Sequence, residues 1–114
     1  MTPESRLKNT IELKLSELGY IPLRLNVGTF YTYLGDRIST GLPKGTSDLL
    51  AIQPGTGRAV FIECKVRPRK PTPEQIHFIE KMIAQGALAA VCYSWEDVEG
   101  LLEENAWKHS DTQE

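Results

Sequence analysis

The sequence predicts an α/β domain, a mixed sheet flanked by helices, with elements in the order α-β-β-β-α-β-α. Three observations lead there. Thr2-Pro3-Glu4 and Thr72-Pro73-Glu74 each place a hydroxyl cap, a first-turn proline and an acid ahead of an apolar helical periodicity. Two β-rich runs, residues 48–53 and 59–66, are split by Pro54-Gly55-Thr56-Gly57, a hairpin signal. A short, nearly continuous apolar run at 87–93 follows the second helix, as expected for a buried strand that a helical crossover brings in parallel to a neighbour.

In chain order, Leu7, Ile11, Leu15 and Leu18 mark one face of the first helix, and Gly19 stops it. Tyr20 to Val27 reads as a strand with Ile21, Leu23, Leu25 and Val27 on one face, Arg24 and Asn26 on the other. Gly28 to Ser47 reads as a long loop of the kind that carries function. Its run Phe30, Tyr31, Tyr33, Leu34 has three readings: an extended strand, the lining of a DNA groove, or a subunit contact, with Tyr31 and Tyr33 in core or dimer packing or stacked on bases. After the hairpin comes a basic connector over 66–71. Thr72 and Gln75 then form a capping-box pair, Ile76, Ile79, Met82 and Ile83 supply an apolar face, and Gly86 ends the second helix. Ser94 caps a final helix carrying Val98, Leu101 and Leu102. Residues 1–103 make one domain, and 104–114 an acidic tail that frays apart from Trp107.

Composition narrows the class of protein. With 40% hydrophobic and 25% charged residues the 114-residue chain is ordinary for a soluble domain. It has neither a run of about 20 apolar residues for a membrane span nor a secretory leader, so a cytoplasmic protein is expected. Cys64 and Cys92 fall inside expected strands and read as buried free thiols. The net charge of −2 hides an asymmetry, because acids crowd the C-terminal end. Over 44–70, Lys44, Arg58, Lys65, Arg67, Arg69 and Lys70 stand against only Asp48 and Glu63, a balance that suits a phosphate-bearing partner.

The hairpin holds the chemistry. If Pro54 to Gly57 form the loop, Gln53 faces Arg58 and Asp48 lies opposite Glu63. Alternation then puts Lys65 on the face of Glu63. Two carboxylates meeting at a strand end require a compensating positive charge or a proton. A hard divalent cation with oxygen ligands supplies one solution, and the lysine then serves an anion. Alone, each residue reads as a turn cap or an edge salt bridge. Together among apolar strands they point to metal-assisted phosphodiester hydrolysis, because uncompensated buried charge is costly. Glu4 is explained by the helix dipole and Gln75 by capping, and a capping Gln75 remains able to serve a site as well. His77 and His109 have no ligand spacing.

Asp48 followed by Glu63-Cys64-Lys65 resembles the D…(D/E)-x-K signature of the PD-(D/E)xK nuclease superfamily, and the αβββαβ order resembles its restriction-endonuclease-like core, here with an added C-terminal helix. More narrowly, Glu4, Arg24-x-Asn26-x-Gly28, Gly45-Thr46-Ser47-Asp48, Phe61 to Lys65 and Gln75 resemble the VRR-NUC (virus-type replication-repair nuclease) domain over roughly residues 4–102. Ser47 departs from the proline common before the family's aspartate. The resemblance implies a Mg²⁺-dependent endonuclease, with Mn²⁺ able to substitute, held by Asp48, Glu63, the Cys64 carbonyl and Glu4. It gives Lys65 and Gln75 catalytic and supporting roles beside those acids. Arg24, Asn26, Lys44, Arg67, Arg69 and Lys70 are the expected DNA contacts. It further implies branched DNA as substrate, a homodimer resembling Holliday-junction resolvases, and a phage or prophage setting. The alternatives are a flap or nicking nuclease and a non-catalytic DNA-binding module on the same fold.

Overall fold

The computed structural model describes residues 1–103; the tail expected over 104–114, Trp107 included, lies outside the described residues. Helix α1 spans Pro3–Glu17, α2 Pro73–Ala84 and α3 Trp95–Glu103. Strands are β1 (Ile21–Arg24), β2 (Thr29–Tyr31), β3 (Arg37–Ser39), β4 (Leu49–Ile52), β5 (Ala59–Cys64) and β6 (Leu88–Cys92). Four of them form one sheet in the order β1-β4-β5-β6, and β2 and β3 form a separate ribbon. β1/β4 and β4/β5 are antiparallel, and β5/β6 is parallel through the α2 crossover, so the sheet is mixed as the sequence predicts.

The helix boundaries follow from their caps. Thr2 Oγ1 accepts from the Ser5 amide at 3.0 Å, and Thr72 Oγ1 from the Gln75 amide at 3.2 Å. At the other ends, Tyr20 N–H donates to Leu15 C=O and Gly19 N–H to Ser16 C=O in α1, with Ala87 to Met82 and Gly86 to Ile83 in α2. Both are Schellman closures, which satisfy the last carbonyls of each helix.

The core lies between one face of the sheet and helices α1 and α3. Ile11 and Leu15 meet Leu49, Ala51, Val60, Ile62 and Cys64, with Leu88, Cys92 and Val98 completing the cluster. Alternation sends the other strand residues to the α2 face, where Phe61 packs edge-on against Phe78 with centroids 5.3 Å apart. This face is less completely covered: Ile79 is buried, but Ile76 and Ile83, expected on the apolar face of α2, are 43% and 44% exposed.

Two expectations are corrected. The strand predicted over 20–27 stops at Arg24, and Ile21, Leu23 and Val27 are exposed: Ile21 and Leu23 pair with Ile52 and Leu50, on the sheet face opposite the buried Leu49 and Ala51, where α2 packs mainly against β5 and β6. The stretch predicted as a loop over 28–47 contains the β2–β3 hairpin. Thr32 organises its turn, its amide donating to Asp36 C=O and its hydroxyl accepting from the Leu34 and Asp36 amides. Phe30, Tyr31, Tyr33, Leu34 and Ile38 are all at least half exposed, so the aromatic run is not core within this chain. Cys64 and Cys92 are buried free thiols, as expected.

Gly45 joins the strand carrying Asp48 to the start of α2. Its φ is +95°, and a Cβ there would lie 2.5 Å from the Glu74 carbonyl oxygen. Only glycine allows this approach of two backbones. Gly45→Ala is therefore expected to destabilise the fold by about 1–3 kcal/mol, read as a lowered urea midpoint at unchanged slope.

Candidate active site

The hairpin register is the one predicted: Leu49 pairs with Ile62 and Ile52 with Ala59, and the Gln53 amide donates to Arg58 C=O at 2.9 Å. Asp48 and Glu63 thus leave the ends of β4 and β5 towards the α2 side. The Cys64 amide donates to Asp48 Oδ2 at 2.8 Å, fixing that carboxylate across the strand pair. From the other side, the Leu25 amide, just past the end of β1, donates to the Asp48 carbonyl at 2.8 Å and holds the same residue.

Glu63 is only 3% exposed. Its Oε2 accepts from Gln75 Nε2 at 3.0 Å and lies 3.8 Å from Lys65 Nζ, whereas Oε1 has no hydrogen-bond partner among the described residues. Gln75 uses both ends of its amide: Oε1 accepts from the Thr72 amide at 2.9 Å, closing the capping box, while Nε2 holds Glu63. The helix start and the site are therefore one structure. Lys65 is 7% exposed and its amide donates to Cys92 C=O at 3.1 Å, so it is held at the end of β5 beside β6.

Glu4 lies at the edge of this group. Its Oε2 is 3.4 Å from Lys8 Nζ and its Oε1 is 3.7 Å from Arg69. Lys8 Nζ is also 3.5 Å from Asp48 Oδ1, which places one ammonium between Glu4 and Asp48. Lys8 is the residue sequence reading missed. Its spacing from Glu4 was visible, but that spacing is shared by any i,i+4 pair on a helix surface.

The expected DNA contacts separate into groups. Asn26 and Lys44 line a cleft of about 400 Å³ with Lys8, Phe30, Asp48 and Gln75, and Lys44 also pairs with Glu74 at 3.7 Å. Arg67 and Arg69 line a second cleft of about 340 Å³ with Glu4 at the start of α1. Tyr93 straps this connector down, with Arg67 4.0 Å above its ring centroid and its hydroxyl donating to Arg69 C=O at 3.2 Å. Lys70 is exposed. Arg24 turns to α1, donating to Glu12 at 2.9 Å and to Asn9.

Burial and the neighbouring Asp48 charge push the Glu63 carboxyl up to about 8, with Lys65 and Lys8 opposing. Burial pulls the Lys8 ammonium down, but Asp48 and Glu4 together outweigh it and leave it above the usual lysine range. Burial also raises both thiols, so neither cysteine is a thiolate at neutral pH.

Do these residues fit a hard divalent cation? Such an ion takes carboxylate and carbonyl oxygens and keeps several waters. The converging Asp48 and Glu63 carboxylates, with Oε1 of Glu63 buried and unpaired, supply that chemistry. Among the described residues no three acidic, histidine or cysteine side chains stand together as a closed metal cluster. Glu4 is linked to Asp48 through Lys8 and is also paired with Arg69. The set fits an open site completed by backbone and water.

The mixed sheet with its crossover helix thus carries a carboxylate pair and a lysine at adjacent strand ends. A solved structure described as a VRR_NUC domain is 30% identical to this chain, covers 90% of it with 97% of its own length matched, and superposes with a TM-score of 0.65. The chain belongs to the VRR-NUC family. No family model and no curated protein matches it. Among the described residues no helix is long and apolar enough to cross a membrane.

Because Glu63 binds its proton more tightly in the folded than in the unfolded chain, its contribution is complete below the ordinary carboxylate range and is lost as pH rises through about 8. Metal-free protein should lose thermal stability across that interval, and Glu63→Gln should flatten the profile. Ser47 is fully buried and its Oγ has no partner among the described residues. Ser47→Ala should leave stability unchanged or raise it by about 1 kcal/mol, measured by denaturant titration.

Proposed function

We propose that the protein is a Mg²⁺-dependent, structure-specific DNA endonuclease that hydrolyses phosphodiester bonds in branched DNA. The observation that carries this reading is the buried, unpaired Glu63 Oε1 beside the fixed Asp48 carboxylate. Asp48 and Glu63 would hold the ion with the Cys64 backbone carbonyl and Glu4, Mn²⁺ serving in place of Mg²⁺. Bound there, the metal supplies Lewis-acid stabilisation of the phosphate and a more acidic water. In hydrolysis the water oxygen joins phosphorus, one ester P–O bond breaks, and the leaving oxygen takes a proton. Lys65 orients the attacking water or offsets charge developing on the phosphate. Gln75 keeps Glu63 aimed by the hydrogen bond from its Nε2.

Asn26 and Lys44 in the cleft, with Arg67, Arg69 and Lys70 on the connector and Arg24 at the end of β1, would meet phosphates, contacts that position DNA without reading its sequence. The exposed Tyr31 and Tyr33 offer faces on which unpaired bases at a branch stack. Two copies related by a twofold axis would cut opposite strands of a junction, the behaviour of a Holliday-junction resolvase. In that reading the protein is a homodimer of phage or prophage origin working in the cytoplasm of a bacterial host.

The test is a panel of four-way junction, flap, linear and single-stranded DNA with Mg²⁺. Symmetric cuts on the junction are expected. Equal cutting of flaps or nicking of linear duplex would indicate a flap or nicking nuclease, and binding without any cleavage would indicate a non-catalytic module. Lys65→Ala should lower cleavage by about 10²-fold or more while junction binding is retained.

A further inference from the structure

Lys8 stands at an unusual place. Its Nζ lies 3.4 Å from Glu4 Oε2 and 3.5 Å from Asp48 Oδ1, joining the first turn of α1 to the end of the β4–β5 hairpin. The other oxygen of Asp48 is already occupied by the Cys64 amide, and the other oxygen of Glu4 by Arg69. Lys8 therefore takes the carboxylate oxygens left over on both acids. An ordinary i,i+4 helix pair explains the contact with Glu4 but gives no reason for the one with Asp48. The separations are longer than the roughly 2.7–2.9 Å of a charge-assisted hydrogen bond. The ammonium thus acts as a loosely held charge in a cleft that Asp48 and Gln75 also line.

We propose that Lys8 is the built-in counter-cation of this site: its ammonium sits between Glu4 and Asp48, two of the acids that would hold a divalent ion, and metal binding proceeds by its displacement. Two cations cannot share these oxygens at contact distance without strong repulsion. Lys8 thereby sets the metal affinity, keeping the acids compensated until an ion arrives and opposing its entry. Glu4 joins the ligands only when Lys8 leaves its carboxylate oxygen. The inference rests on the metal-site reading given above.

Mn²⁺ titration without DNA, followed by the loss of the free-ion electron paramagnetic resonance signal, tests it on wild type, Lys8→Met and Lys8→Arg. Lys8→Met should bind Mn²⁺ about tenfold or more tightly than wild type, the scale expected for removing one cation at this distance. Lys8→Arg, which keeps the charge, should stay weak like wild type. Lys8→Gln carries the same expectation as Lys8→Met and replaces it if that variant does not fold. If the folded neutral variants bind equally or more weakly while wild type binds, the proposal is overturned and the metal site stands. If no protein, wild type included, takes up Mn²⁺, the metal-site reading falls and takes the proposal with it.

Discussion

Two acids placed at the ends of one antiparallel strand pair set the terms for the structure around them. The β4–β5 register makes the juxtaposition of Asp48 and Glu63 unavoidable, and the Cys64 amide on Asp48 Oδ2 locks it. A buried carboxylate without a compensating group costs several kcal/mol in a protein interior. The chain answers with three groups from different elements: Lys65 from the end of β5, Gln75 from the first turn of α2, and Lys8 from α1. Even so, one oxygen of Glu63 has no partner among the described residues, and burial with the Asp48 charge favours a proton on it. The site is stable enough to form and incompletely satisfied, which is the condition for taking up a cation.

The scaffold serves this cluster by ordinary means. α1 and α2 begin with the same Thr-Pro-Glu formula, and each start delivers a side chain to this cluster, Glu4 through Lys8 from one and Gln75 onto Glu63 from the other. In α2 the capping box and the Glu63 contact use opposite ends of a single amide, so the helix cannot shift its first turn without disturbing the acid. Gly45 brings the chain entering β4 against the Glu74 carbonyl, which sets the distance between the strand with Asp48 and the helix with Gln75. Basic residues follow the same plan: Tyr93 holds the exposed Arg67 to Arg69 connector beside Glu4.

How much of this was legible depended on how local each signal is. The hairpin register could be read because Pro54 to Gly57 fixes the loop length and period-2 alternation does the rest. The caps and both helix stops were legible for the same reason. The end of β1 is not legible, because an apolar alternation looks alike whether its face is covered or, as for Ile21 and Leu23, exposed. The β2–β3 ribbon escaped because its strands are three residues long and exposed on both faces, and its turn is organised by the Thr32 side chain, which no apolar pattern reveals. Arg24, expected among the DNA contacts, is engaged by Glu12 and Asn9 of α1, a partnership set by tertiary packing alone. Lys8 shows the limit most clearly: half of its role, the i,i+4 contact with Glu4, is in the sequence, and the other half is created only when α1 packs beside the hairpin.

Membership of the VRR-NUC family and the arrangement of these side chains agree on a nuclease-type domain, and the account turns on one claim, that the Asp48–Glu63 pair is a divalent-cation site. Anomalous diffraction from crystals equilibrated with Mn²⁺ tests this most directly, because it locates the ion without requiring turnover. The account predicts an anomalous peak within coordination distance of Asp48, Glu63 and the Cys64 carbonyl, lost in Asp48→Asn. A saturating Mn²⁺ soak that leaves no peak there, with both carboxylates ordered and in place, would contradict it.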